Sequence, residues 1–295
     1  MWRVNTTGHE QADGGGARAG HPAGNWPSAG DKPDDMRARR ASSFGTQAAA
    51  YAEYRPGYAP AAVAWALAPV RDRARVRVVD VGAGTGKLTG IIERLATTPD
   101  WAGRLSVTAV EPDPAMLAEL RRILPQTTAT PGTAEHIPLP DASVDAVLGG
   151  QAAHWFDMDL AVPEIARVLT PGGVWAGLWN MDDDSEPWVA GLTEVCDSSV
   201  KLSTWLTDRH DWPPTDLGPT LFSPYERAEF PHIQMHTVDS LVALTATHSK
   251  MLVMDPAKRE LQLARVRGYL STRQETAHGE FRMPLLSGVL RSVKI

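Results

Sequence analysis

The chain predicts a doubly wound α/β fold, a mostly parallel sheet with helices on both faces, and three observations carry that prediction. An apolar run, Val78-Val79-Asp80-Val81, leads straight into Gly82-Ala83-Gly84-Thr85-Gly86. A second apolar run, Val107-Thr108-Ala109-Val110, follows at the spacing of one βαβ step and ends on Glu111. Two further strand-like runs, 144–148 and 174–179, flank a segment of helical spacing. Such alternation points to parallel pairing, because a parallel neighbour requires a crossover, and a helix usually supplies it.

The elements follow in order. Behind the first glycines, Leu88, Ile91, Ile92 and Leu95 recur at helical spacing. After Glu111, Asp113 reads as an N-cap and Pro114 as the first helical residue, with Met116, Leu117, Leu120 and Leu124 behind them. Residues 158–169 read as a crossover helix with Ala161, Val162, Ile165, Val168 and Leu169 on one face, ended by Pro171-Gly172-Gly173. Beyond residue 181 the chain reads as an antiparallel completion of the sheet: strands at 229–237 and 280–294, and between them helices at 238–254 and 256–270, parted at Asp255-Pro256.

The glycine loop is a cofactor site by its local order, since glycines let the backbone turn sharply and approach a ligand closely. Its chemistry argues against a dinucleotide. The third glycine of that fingerprint falls on Lys87, too bulky for close helix packing. Asp80 would repel a pyrophosphate but suits a cation. S-adenosyl-L-methionine is a cofactor of that kind, with an ammonium, a sulfonium and no phosphate. Glu111, at the end of the next strand, is placed to accept both ribose hydroxyls.

With these residues in view, the chain resembles the class I S-adenosylmethionine-dependent methyltransferases over residues 41 to about 180. Asp80-x-Gly82-x-Gly84-x-Gly86 resembles the family's first cofactor motif, and Glu111-Pro112-Asp113 its acidic ribose motif. Gly132-Thr133-Ala134-Glu135-His136-Ile137-Pro138 resembles its adenine-side loop, although members often carry Asp where this chain has Thr133. The resemblance implies a Rossmann-like sheet of seven strands with an antiparallel last strand, and it implies cofactor contacts from Thr133, Ala134 and Glu135. Tyr51 and Arg55 lie in a segment resembling the cofactor cover of small-molecule members. Four residues apart on a helix, they share a face, from which Arg55 would pair with the methionine carboxylate and Tyr51 hydrogen-bond to it.

The fourth strand runs out into Gly149-Gly150-Gln151-Ala152-Ala153-His154-Trp155-Phe156-Asp157, where the crevice of an open parallel sheet lies, and its His-Trp-Phe run resembles that of a small-molecule, type 11 branch that includes trans-aconitate-methyltransferase-like proteins. Gln151 is assigned to the cofactor side, and His154 and Trp155 face the transferred methyl group. His154 is the candidate base for a hydroxyl acceptor, whereas a carboxylate acceptor needs none. An aromatic face at Trp155 would attract a sulfonium by about 1 kcal/mol. Both residues also read as ordinary packed side chains. Trp179-Asn180 resembles a pair found at the fifth-strand exit in this branch, and Trp188, Trp205, Trp212, Phe222 and Tyr225 read equally as acceptor wall, as core or as an oligomer contact. Asp182-Asp183-Asp184 reads as a solvated loop and not a metal site, since consecutive carboxylates point apart.

Composition sets the outer bounds. The 295 residues carry 43% hydrophobic content, enough for one sizeable domain. A net charge of −6 gives no electrostatic reason to expect nucleic acid or a membrane surface as partner. The single cysteine, Cys196, permits no internal disulfide and suits a reducing cytoplasm. Residues 1–40, rich in Gly, Ala, Asp and Pro, read as a disordered tail or as an overextended reading frame before Met36. Residues 41–295 read as the domain, with a cofactor half at 41–180 and an acceptor-shaping part at 181–295. The expected partner is a small-molecule acceptor, methylated most readily on oxygen, and the chain is expected as monomer or homodimer. Two rivals remain at this level: a nicotinamide-dependent oxidoreductase and a catalytically silent binder of the same cofactor.

Overall fold

The computed structural model describes residues 48–196 and 221–295. The expected tail at 1–40, and Trp205 and Trp212, lie outside the described residues.

Seven strands form one sheet in the order β3-β2-β1-β4-β5-β7-β6. They are β1 Val76–Val81, β2 Leu105–Val110, β3 Thr128–Thr130, β4 Val144–Gly150, β5 Leu169–Asp182, β6 Glu226–His236 and β7 Phe281–Val293. The first five are mutually parallel, and β7 inserts antiparallel between β5 and β6. The helices are α1 Ala48–Tyr54, α2 Pro60–Ala66, α3 Lys87–Ala96, α4 Pro114–Ile123, α5 Met158–Val168, α6 Pro187–Val195, α7 Val238–Ala246, α8 Ser249–Leu252 and α9 Pro256–Ser271.

Side-chain alternation sorts β1 to the two faces. Val76 and Val78 join Leu88 and Ile92 of α3, Val63 of α2, Leu148 and Leu178 on one face. Val79 and Val81 join Ile165 of α5, Val147, Trp175 and Trp179 on the other. A third cluster, including Trp188, Leu192, Leu241, Leu270, Phe281 and Met283, holds α6, α7 and α9 together around the start of β7. Trp188 is thus core, meeting Phe281 edge-on at 5.8 Å. The α4 cap is as the sequence predicts, with Asp113 accepting from Ala115 N and Met116 N.

Two expectations need correction, and one strand had no signal of its own. The expected helix at 238–254 breaks into α7 and α8, because the guanidinium of Arg55 donates to both Thr247 Oγ1 and Thr247 O, and so caps α7 from another element. β5 begins before the Pro171-Gly172-Gly173 turn rather than after it: Leu169 already pairs with Val144, and the glycines are absorbed as a register irregularity. Strand β3, only Thr128–Thr130, carries no readable alternation of its own and owes its place to pairing with β2.

In this order β1 and β4 are neighbours whose connections leave in opposite directions, so a crevice opens beyond their carboxyl ends. The Asp80 loop stands on one side and Gln151 on the other.

Candidate active site

Asp80, fully buried near the end of β1, accepts a 2.5 Å hydrogen bond from Thr89 Oγ1 on α3 through Oδ2, while Oδ1 has no partner among the described residues. Burial pushes its carboxyl up to about 7, against the pull of the Thr89 bonds and with a further push from Glu111. Thr85 Oγ1, in the same loop, is likewise buried without a partner among them. Two unpartnered oxygens beside one glycine loop fit a ligand that carries donors or positive charge.

Four N–H groups of the loop are already engaged within the protein. The N–H groups of Gly82 and Ala83 donate to Val110 O, that of Gly86 donates to Ala83 O, and that of Gly84 donates to Glu111 Oε2 (2.7 Å). A pyrophosphate needs those donors free and would meet two carboxylates as well. Gly84 holds φ +57°, and a Cβ built on it would meet nothing within 4 Å, so the space over the loop is open. The residues therefore fit S-adenosylmethionine and not a dinucleotide.

Glu111 is buried, and its other oxygen accepts from Asp113 N (2.8 Å). Each carboxylate oxygen has one backbone partner and retains a second lone pair for a hydroxyl. Burial raises its pKa, opposed by the two backbone bonds. Pro112 follows on the surface. On the adenine side, Thr133 and His136 close a tight turn through reciprocal backbone bonds, with Thr133 Oγ1 also accepting from His136 N. Ala134 is buried beneath it. The Glu135 carboxylate points elsewhere, accepting from Asp157 N (2.8 Å) and so tying this loop to the start of α5.

The cover segment crosses the crevice from the far side. Arg55 lies over the Tyr51 ring at 5.2 Å, so the two residues do share a face, with Arg55 Nε and Nη2 each 3.0 Å from Thr247. Tyr58 is buried close enough to Asp80 and Arg55 to feel both charges, and its hydroxyl packs against Gly150.

At the β4 exit Gln151 takes φ +52°, rare for a residue with a side chain, and its Nε2 donates to Asn180 O (2.9 Å). His154 is exposed on a short 3₁₀ turn, and its ring lies 4.8 Å from that of Trp155. The Trp179 indole N–H points at His154 Nδ1 (3.4 Å). An indole only donates, so the neutral imidazole in this arrangement carries its proton on Nε2.

Sequence reasoning misses Thr85 and takes Asp182 as loop. Asp182 ends β5 on the exposed side of the strand; desolvation lifts its carboxyl to about 6 against the attraction of Arg55. His248, pushed down to about 3 by desolvation and Arg55, and Cys196 are close by. No sequence pattern marks these residues, because they come from β5, α6 and the α7–α8 junction.

A cation-ready glycine loop, an acidic residue at the next strand end and the 3-2-1-4-5-7-6 sheet define a class I methyltransferase. The family model described as a methyltransferase domain matches residues 79–176. An uncharacterized methyltransferase of Mycobacterium tuberculosis is 40% identical over 240 residues, 80% of this chain and 88% of that protein. A malonyl-[acyl-carrier protein] O-methyltransferase of Methylococcus capsulatus is 35% identical over 101 residues, 33% of this chain and 34% of that protein. Among solved structures, a candidate type II methyltransferase from Anaeromyxobacter dehalogenans superposes with TM-score 0.53 at 25% identity, covering 81% of this chain and 97% of that one. The chain belongs to the S-adenosylmethionine-dependent methyltransferases. No helix among the described residues is long and apolar enough to cross a membrane.

Proposed function

We propose that the protein transfers a methyl group from S-adenosylmethionine to an oxygen of a small molecule, with a carboxylate as the preferred acceptor. The observation that carries the donor site is Oδ1 of the fully buried Asp80, which has no partner among the described residues. In this reading Asp80 attracts the donor's ammonium, and Tyr51 and Arg55 hold its carboxylate from the cover. Glu111 takes the ribose hydroxyls on its remaining lone pairs, with Pro112 fixing the turn behind it. Thr133 and Ala134 edge the adenine, and Glu135 acts by holding their loop to the start of α5. Gly82, Gly84 and Gly86 keep the loop low beneath the ligand.

The donor supplies a methyl group on a sulfonium that needs no activation. What the chain contributes is placement: an acceptor oxygen held in line with the sulfur–methyl bond, in a chamber that excludes water. Gln151 borders the donor, and the Trp155 face adds cation–π attraction of about 1 kcal/mol. His154, with its proton on Nε2, offers a donor to the acceptor rather than a base, which suits an acceptor that is already a carboxylate. That preference agrees with the oxygen-directed activity in the name of the Methylococcus relative.

The test is calorimetric titration with S-adenosylhomocysteine, NAD and the Asp80→Ala variant, followed by a methyl-transfer screen of small carboxylic acids against phenols and alcohols. Product binding that weakens with Asp80→Ala and is absent for NAD supports the donor site. Turnover on alcohols but on no carboxylic acid would overturn the acceptor assignment.

A further inference from the structure

One residue of the sheet touches both walls of the chamber. Asn180, two positions before the end of β5, donates through Nδ2 to the Gly57 carbonyl (2.8 Å) in the cover segment. Its Oδ1 accepts from Ser287 Oγ on β7 (2.6 Å) and from His232 Nε2 on β6 (3.1 Å). Ser287 Oγ in turn accepts from Ala59 N (3.0 Å), a second fastening of the same segment. On the opposite side, the main-chain oxygen of Asn180 accepts from Gln151 Nε2 (2.9 Å).

Only an amide satisfies this set. Ser287 O–H and His232 N–H converge on the carbonyl oxygen, and a carbonyl faces the amide nitrogen, so the orientation of the side chain is fixed by its partners. Burial lowers the pKa of His232, and the Nε2 tautomer of the neutral ring supplies the N–H that Asn180 Oδ1 accepts. Gln151, at φ +52°, holds a backbone conformation rare for a residue with a side chain, and such strain persists where neighbours hold it. Asn180 O holds its side chain, and Leu178 O holds its N–H (2.8 Å).

We infer that Asn180 is a positioning residue for methyl transfer, setting the cover that carries Tyr51, Arg55 and Tyr58 at a fixed separation from the β4 exit that carries Gln151, His154 and Trp155. The role presupposes that the donor lies between those walls, over Asp80 and Glu111. Asn180 does not touch the reacting atoms; it acts through Gly57, Ala59 and Gln151.

The variant Asn180→Asp isolates the role. It retains an acceptor for Ser287 and His232 but sets an oxygen against the Gly57 carbonyl, leaving the main-chain bond to Gln151 in place. S-adenosylhomocysteine should bind about tenfold more weakly, the loss of one hydrogen bond's worth of order. Amide hydrogen exchange should quicken across residues 51–59 while the β1 and β4 amides stay protected, and the melting temperature should stay near that of the wild type. Ser287→Ala, which loosens the second fastening, should shift affinity and exchange in the same direction by less, and it carries the test if Asn180→Asp does not fold. A wild-type chain that binds and an Asn180→Asp chain that binds equally well overturn the assignment of Asn180 alone. So does faster exchange at 51–59 with unchanged affinity. A folded wild type that binds no S-adenosylhomocysteine overturns the donor site and this role with it.

Discussion

Asp80 should make donor binding depend on pH in a direction opposite to the usual buried-carboxylate intuition. Its carboxyl is raised from 3.8 to about 7 by burial, with Thr89 on α3 pulling it down and Glu111 at the β2 exit pushing it up. Between those values the folded protein binds more protons than the unfolded chain, so the ligand-free fold loses stability as pH rises through the window. Ligand binding runs the other way. An ammonium seated against Oδ1 holds the carboxylate ionised, so the free protein must release a proton to bind. With a free-state pKa of about 7, the ionised fraction is about 0.76 at pH 7.5 and about 0.09 at pH 6, which makes affinity fall about eightfold across that interval. The assay is titration with S-adenosylhomocysteine at both pH values, repeated in two buffers of different ionisation enthalpy to count the proton released. Glu111, also raised, would add in the same direction. Asp80→Asn separates the two, since it should bind more weakly at pH 7.5 and lose most of the dependence. A wild type whose affinity is flat from pH 6 to 7.5, with no proton released, would refute the ammonium contact.

Two glycines should fail in different ways. Gly82 and Gly84 both sit at positive φ, where an L side chain costs about 1–2 kcal/mol, but a Cβ on Gly82 would also lie 2.7 Å from Ala152 Cβ. Gly82→Ala should therefore lose about 2–4 kcal/mol in urea denaturation once overpacking is added, and Gly84→Ala about 1, with the Gly84 variant losing S-adenosylhomocysteine affinity because its methyl occupies the open space over the loop. Equal destabilisation by both would contradict the packing described at Ala152. Cys196 should be a poor nucleophile, since burial, with Asp182 adding to it, pushes its thiol up to about 12. At pH 8 its reaction with an aromatic disulfide reagent should run about a thousandfold slower than that of an ordinary exposed thiol, and a rate within tenfold of one would disprove that environment.

What the sequence by itself determined are the features whose partners lie nearby along the chain. The strand-loop-helix at Asp80 to Leu95 was legible because period, glycines and helix face fall within about twenty positions. The α4 start was legible because Asp113 caps the N–H groups of Ala115 and Met116, two and three residues on. Glu111 could be placed near the loop from strand spacing alone, although its bond to Gly84 N could not. Tertiary structure decided everything that depends on distant partners. Arg55 breaks the expected helix at Thr247 from 192 positions away, and Asn180 finds Gly57 and Ser287 at separations of 123 and 107. Asp182 reads as one of three consecutive surface carboxylates, and only the fold sets its carboxyl within the field of Arg55. Periodicity and capping record the cost of local backbone states, which neighbouring residues set. A chamber is made where strand ends and crossing helices converge, and the hydrogen bonds that hold its walls apart exist only after the sheet has chosen its order.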